Sequence, residues 1–118
     1  MSTSMLEVSS ANQGGAWVVS ARGEVDLMGT PTLKAELRAV QAKAPKRIVV
    51  DLSGVAYMDS SGLATLVECM QAARKQGFSL VLCGLQPRVK AIFDIAKLTL
   101  VFTIVPTLAA ALGNDLAS

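Results

Sequence analysis

Apolar positions along the chain follow two periods. Short strand-like runs alternate with stretches whose apolar residues recur every three or four positions, the period of a helix. Met5–Ser9 and Ala16–Ala21 predict two strands, and the turn residues Asn12-Gln13-Gly14-Gly15 between them predict an antiparallel hairpin. Gly23-Glu24-Val25-Asp26 closes the second strand and opens a loop through Leu27, Met28 and Gly29. Thr30-Pro31 then reads as an N-cap followed by proline at the first helical position. Leu33, Leu37 and Val40 form the apolar stripe of this helix, and Pro45 ends it.

The wholly apolar Ile48-Val49-Val50 predicts a buried strand over 48–52. A short turn follows and ends in Asp59-Ser60-Ser61-Gly62. From there Leu63, Leu66, Val67 and Met70 take helix spacing, and Gly77 is a good terminator. Phe78–Cys83 predicts another buried strand. Gln86-Pro87 opens a helix with apolar positions Val89, Ile92, Phe93 and Ala96. Leu100–Val105 predicts the last strand, and Thr107–Leu112 a terminal helix capped near Gly113. The order is β-β-α-β-α-β-α-β-α. Continuous apolar strands separated by helices imply an α/β fold, with a mixed, mostly parallel sheet and an antiparallel edge strand.

Composition narrows the function. The chain has 118 residues and reads as one domain over 1–118, with its core at about 5–112. It is 52% hydrophobic and 17% charged, which argues against disorder. A net charge of +2, from scattered lysines and arginines, leaves no footprint for nucleic acid. Histidine is absent, which removes the commonest general base and metal ligand. Cys69 and Cys83 have no zinc spacing and read as reduced, buried thiols of a cytoplasmic protein. No metal or cofactor is expected. The N-terminal MSTSMLEVSS lacks the features of a signal peptide. Leu98–Leu112 falls short of the ~20 residues that span a bilayer, and Pro106 interrupts it, so no membrane insertion is expected.

Enzymatic motifs are missing. There is no P-loop, no GxGxxG and no GxSxG, and a Ser-His-Asp triad is impossible without histidine. Asp51, near a strand end, invites comparison with the phospho-acceptor of a receiver domain. The acidic pair such a domain needs after its first strand is missing, so Asp51 is expected to hydrogen-bond the following turn. Two readings fit Asp59-Ser60-Ser61. Each residue is a good N-cap. A serine at a helix start also lies over free N–H groups, where a phosphate is tolerated by the fold. Gly62 would allow close approach of another backbone.

Residues 51–63, Asp-Leu-Ser-Gly-Val-Ala-Tyr-Met-Asp-Ser-Ser-Gly-Leu, resemble the signature of STAS domains, in particular bacterial anti-sigma factor antagonists. Gly23-Glu24-Val25-Asp26, Gly84-Leu85-Gln86-Pro87-Arg88-Val89 and Phe93-Asp94-Ile95-Ala96-Lys97-Leu98 are similar to other segments of that family. The resemblance implies a non-enzymatic partner switch. The bare protein binds an anti-sigma factor that is also a GHKL-type serine kinase, and a sigma factor is released. Phosphorylation breaks the complex, and a PP2C-type phosphatase restores it. The implied acceptor is Ser60, with Ser61 the runner-up. Asp26 and Asp59 match acidic positions of the docking surface, completed by Ser60, Ser61 and Gly62. Tyr57 and Met58 are either an exposed contact rim or buried loop packing. Relatives often place threonine where this chain has Gly29, and Thr30 is the candidate substitute. The chain ends soon after its fourth helix, which fits a stand-alone antagonist. The alternatives are a STAS accessory subunit of an ABC lipid-transport complex and, less favoured, a serine-nucleophile enzyme.

Overall fold

Ile48, Val49 and Val50 are fully buried and lie in the middle of a five-stranded sheet. The computed structural model describes residues 5–113. The strands are β1 (Glu7–Gln13), β2 (Ala16–Val25), β3 (Arg47–Met58), β4 (Ser79–Cys83) and β5 (Thr103–Val105), in spatial order β1-β2-β3-β4-β5. β1 pairs antiparallel with β2, and the other neighbours are parallel. The helices are α1 (Thr30–Gln41), α2 (Ser60–Gln76), α3 (Pro87–Ile95) and α4 (Leu108–Leu112). The α/β class, the mixed sheet and its antiparallel edge are as the apolar pattern predicts.

Burial on both faces explains why β3 starts as an unbroken apolar run. Ile48, Val50 and Leu52 belong to the larger core, with Leu33, Leu37 and Val40 of α1, Leu66 of α2, and Val89 and Phe93 of α3. Val49 belongs to a smaller core with Val18, Val81, Cys83 and Ala111 of α4. Arg47 Nη1 holds α4 in place by donating to the Ala111 carbonyl at 2.9 Å and the Gly113 carbonyl at 3.3 Å.

Several boundaries differ from those predicted. The hairpin turn is only Gly14-Gly15, both at positive φ, so β1 reaches Gln13; at its other end it starts at Glu7 rather than Met5. The larger difference is at the other end of the sheet. β2 runs to Val25 rather than Ala21, and β3 to Met58 rather than Leu52. Bulges between Ser20 and Arg22 and between Gly23 and Glu24 let pairing continue as Arg22–Gly54, Gly23–Val55, Glu24–Tyr57 and Val25–Met58. Ser53-Gly54 looks like turn chemistry but is the inside of a bulged strand. A Cβ on Gly54 would lie 3.0 Å from the Ala21 carbonyl oxygen.

Thr30 is the first helical residue and Gly29 the N-cap, so the expected cap at Thr30 is displaced by one position. The last strand is shorter than predicted, because Leu98–Leu100 form a single 3₁₀ turn that leaves Leu100 exposed. Ala96 is exposed beyond the end of α3. Phe102 packs edge-on against the fully buried Phe93, with ring centroids 5.7 Å apart. Phe93→Ala is expected to lower unfolding free energy by about 3–5 kcal/mol in urea denaturation; a loss near zero would contradict this packing.

Candidate functional site

The extended pairing of β2 and β3 delivers two aspartates to one end of the sheet. Asp26 follows Val25, and Asp59 follows Met58. Each organises the turn after it. The Asp26 carboxylate accepts from the Gly29 N–H at 2.9 Å, and its carbonyl accepts from the N–H groups of Gly29 and Thr30 at 3.0 and 2.9 Å. Asp59 is the N-cap of α2. Its Oδ1 accepts from the Ser61 N–H at 2.9 Å, the Ser61 hydroxyl at 2.5 Å and the Gly62 N–H at 3.4 Å. The Asp59 N–H donates to the Val25 carbonyl at 3.1 Å, which ties the start of α2 to the end of β2.

These donors set the charge of Asp59. The Ser61 hydroxyl is the main cause that lowers its pKa; partial burial opposes this, and the N–H groups of Ser61, Gly62 and Leu27 add to the lowering. Asp59 is therefore held as a carboxylate at the positive end of a helix.

The two serines are not equivalent. Ser60 is exposed at the first position of α2. Ser61 is half-buried, its hydroxyl given to Asp59 and its carbonyl accepting from the Thr65 hydroxyl at 3.0 Å. The side-chain bonds at this helix start run among Asp59, Ser61, Gly62 and Thr65 and do not involve Ser60.

Two residues of the expected docking segment lie inside, and for Met58 the buried alternative holds. Met58 is 0% exposed and is no contact rim, since it ends β3 opposite Val25 and packs beneath α2. Gly62 is also buried. A Cβ there would lie 2.6 Å from Met58 Cγ and 2.7 Å from Val25 Cγ1, so glycine lets the helix start settle onto the strand ends. Tyr57 is 38% exposed.

Gly29 is a second close approach. A Cβ would meet the Glu24 carbonyl oxygen at 2.8 Å, so a threonine does not fit this backbone. Thr30 does not replace it on the surface, because Thr30 is buried and its hydroxyl donates to the Leu27 carbonyl at 3.4 Å. What the loop exposes instead is Leu27, at 73%, and Met28, at 85%. Neither was singled out from sequence. The available signal was an apolar pair inside an otherwise polar turn.

Asp51 bonds the following residues as expected, its Oδ1 accepting from the Ser53 N–H at 3.0 Å. Cys69 and Cys83 are both buried and unpaired. Burial pushes each thiol up to about 11, and the Asp51 charge adds to the effect at Cys83, so neither is a nucleophile near neutral pH. Among the described residues, no group of three or more histidine, cysteine, aspartate or glutamate side chains could hold a metal. No helix among them is long and apolar enough to cross a membrane.

The STAS domain family model matches residues 7–111, a span that includes the whole site. The chain belongs to the STAS domain family. Within it, the chain is 36% identical over 77 residues to an anti-sigma-B factor antagonist of Listeria monocytogenes, covering 65% of this chain and 68% of that one. It is similar to the crystal structure of an anti-sigma factor antagonist from Mycobacterium paratuberculosis, with a TM-score of 0.83, 29% identity and 94% of each chain covered. The unphosphorylated form of the anti-sigma factor antagonist SpoIIAA shares the fold, with a TM-score of 0.79 at 18% identity, covering 95% of this chain and 98% of that one. The phosphorylated form of the Bacillus SpoIIAA shares it too, with a TM-score of 0.68 at 19% identity, covering 89% and 96%.

The geometry of this STAS site gives two expectations. A carboxylate with a lowered pKa stabilises the fold above its unfolded value of 3.8, and that contribution is lost as pH falls below it. Wild-type protein should therefore be more stable than Asp59→Asn at about pH 6, and the gap should narrow by about pH 3. Urea denaturation at both pH values checks this; a gap that widens on acidification would contradict it. Gly62→Ala should destabilise by about 1–3 kcal/mol, because its Cβ overlaps Met58 and Val25. A melting temperature equal to wild type would contradict the close contact.

Proposed function

We propose that this chain is an anti-sigma factor antagonist that works by partner switching, with Ser60 as the phospho-acceptor. In its bare form it binds an anti-sigma factor of the GHKL serine-kinase type in the cytoplasm, and a sigma factor is freed. The kinase transfers the γ-phosphoryl group of its own ATP to the Ser60 hydroxyl oxygen, and the hydroxyl proton leaves. The complex then dissociates, and a PP2C-type phosphatase returns the bare serine by hydrolysis. The chain itself catalyses nothing.

The observation that carries this reading is the contrast between the serines. Ser60 is exposed, and among the described residues its hydroxyl makes no hydrogen bond, whereas the Ser61 hydroxyl is held by Asp59. The names of the similar proteins support the class of partner. The site also explains how a switch can act without unfolding. The helix N-terminus is electrostatically favourable for a phosphate. A docked partner is less tolerant, because the phosphate brings about −1.5 to −2 charges beside the Asp59 carboxylate. Desolvating that charge in an interface costs on the order of 2–5 kcal/mol.

Incubation with ATP and the cognate kinase, followed by mass mapping, should place phosphate on Ser60 and leave Ser60→Ala unmodified. Ser60→Asp should weaken binding to that kinase on the order of thirtyfold or more while keeping its melting temperature. Modification at another residue, or unchanged binding by Ser60→Asp, would sink the proposal.

A further inference from the structure

β2 to β5 are mutually parallel and alternate with helices, so the connections sort by type to the two ends of the sheet. Those from strand to helix, 26–29, 59 and 84–86, lie at the Ser60 end. They carry Asp26 and Asp59 and no lysine or arginine. Those from helix to strand, 42–46, 77–78 and 96–102, lie at the opposite end. They carry Lys43, Lys46 and Lys97 and no aspartate or glutamate. Arg74 and Lys75, in the last turn of α2, add two more positive charges there. All five are exposed. Cations scattered along the sequence are thus gathered by the topology.

The same end is also apolar. Ile95, which ends α3, and Leu100, in the turn after it, are 82% and 91% exposed, with Lys97 between them in sequence. Asp94, the acid next to Ile95, is paired with Lys90 at 3.5 Å. Lys43 keeps its charge at this end, its ammonium 4.3 Å from the Trp17 ring centroid. Beside the hairpin turn is an open hollow of about 410 Å³, whose lining includes Gly14, Gly15, Lys46, Arg47 and Ser79.

We propose that this end is a face for peripheral attachment to an anionic lipid bilayer. The lysines and arginines lie against acidic headgroups, Ile95 and Leu100 dip into the headgroup layer, and the Ser60 end is turned to the aqueous side. Charge complementarity selects an anionic occupant, and each lysine or arginine near such a surface strengthens attachment about fivefold. The exposed apolar pair selects a bilayer among anionic occupants, because basic and apolar side chains on one face suit a lipid interface. A nucleic acid has no use for Ile95 and Leu100. Among the described residues, no exposed aromatic ring lies at this end to stack on a base. The attachment does not rest on the switch reading, since the two use opposite ends of the sheet.

The test is co-sedimentation of the full chain with vesicles of mixed phosphatidylglycerol and phosphatidylcholine, against vesicles of phosphatidylcholine alone. Wild type should bind the first and not the second. Raising salt from about 0.1 M to about 1 M shortens the screening length from about 10 Å to about 3 Å and should release it. Lys46→Glu/Lys75→Glu should bind at least about tenfold more weakly. Ile95→Ser/Leu100→Ser should also weaken binding, and all four positions are exposed, so both double variants should melt with the wild type. Ser60→Asp should bind these vesicles as wild type does. No binding to the anionic vesicles, or equal binding to both kinds, would overturn the proposal. So would full binding by a folded Lys46→Glu/Lys75→Glu, or loss of binding in Ser60→Asp. Duplex DNA or polyglutamate that binds as tightly as the anionic vesicles would assign this end to a nucleic acid or an acidic protein, and overturn it as well.

Discussion

Everything at the site depends on β2 and β3 staying paired beyond the point where their apolar runs end. Two bulges absorb the change of register and carry the pairing to Val25 and Met58. Without that extension, Asp26 and Asp59 would open separate loops. With it, Val25 and Met58 are paired, and a bond from the Asp59 N–H to the Val25 carbonyl joins the start of α2 to the end of β2. Gly62 completes the junction by letting α2 rest directly on both strand ends. The surface is thus built from main chain, and only the side chains left over can face a partner.

That division assigns the chemistry. Asp59 Oδ1 and the Ser61 hydroxyl are occupied in holding the helix start. Ser60, on the same turn, has no such duty. Capping is carried by Asp59, with the Ser61 hydroxyl held to it, and the switch we propose falls on a different residue of the same tripeptide. A modification of Ser60 leaves the cap in place, which is what a reversible switch requires. Leu27 and Met28 are exposed on the neighbouring loop.

The element order, the parallel core and most buried helix positions were legible because burial imposes strong periodicity. Leu33, Leu37 and Val40 recur at helix spacing since one face of α1 meets the sheet. Ile48-Val49-Val50 is uninterrupted since both faces of β3 are covered. The ends of β2 and β3 were not legible. Ser53-Gly54 has turn composition, and a bulge uses the same residues as a turn. The burial of Met58 and Gly62 was not decidable from sequence for a related reason: surface position there is set by contact with Val25, far away in sequence. The motif marks the candidate site, but not which of its members face outward. Leu27 and Met28 escaped notice because an apolar pair has no meaning until its neighbours are seen to be satisfied without it.

The central claim is that a phosphate on Ser60 changes what this surface binds without changing the fold. The most direct measurement is the dissociation constant of the anti-sigma factor for bare protein and for protein carrying phosphoserine at position 60, with thermal melts of both. The account predicts a loss of affinity on the order of thirtyfold or more, with melting temperatures that coincide. Equal affinities, or an affinity loss explained by a phosphorylated form that no longer folds, would contradict it.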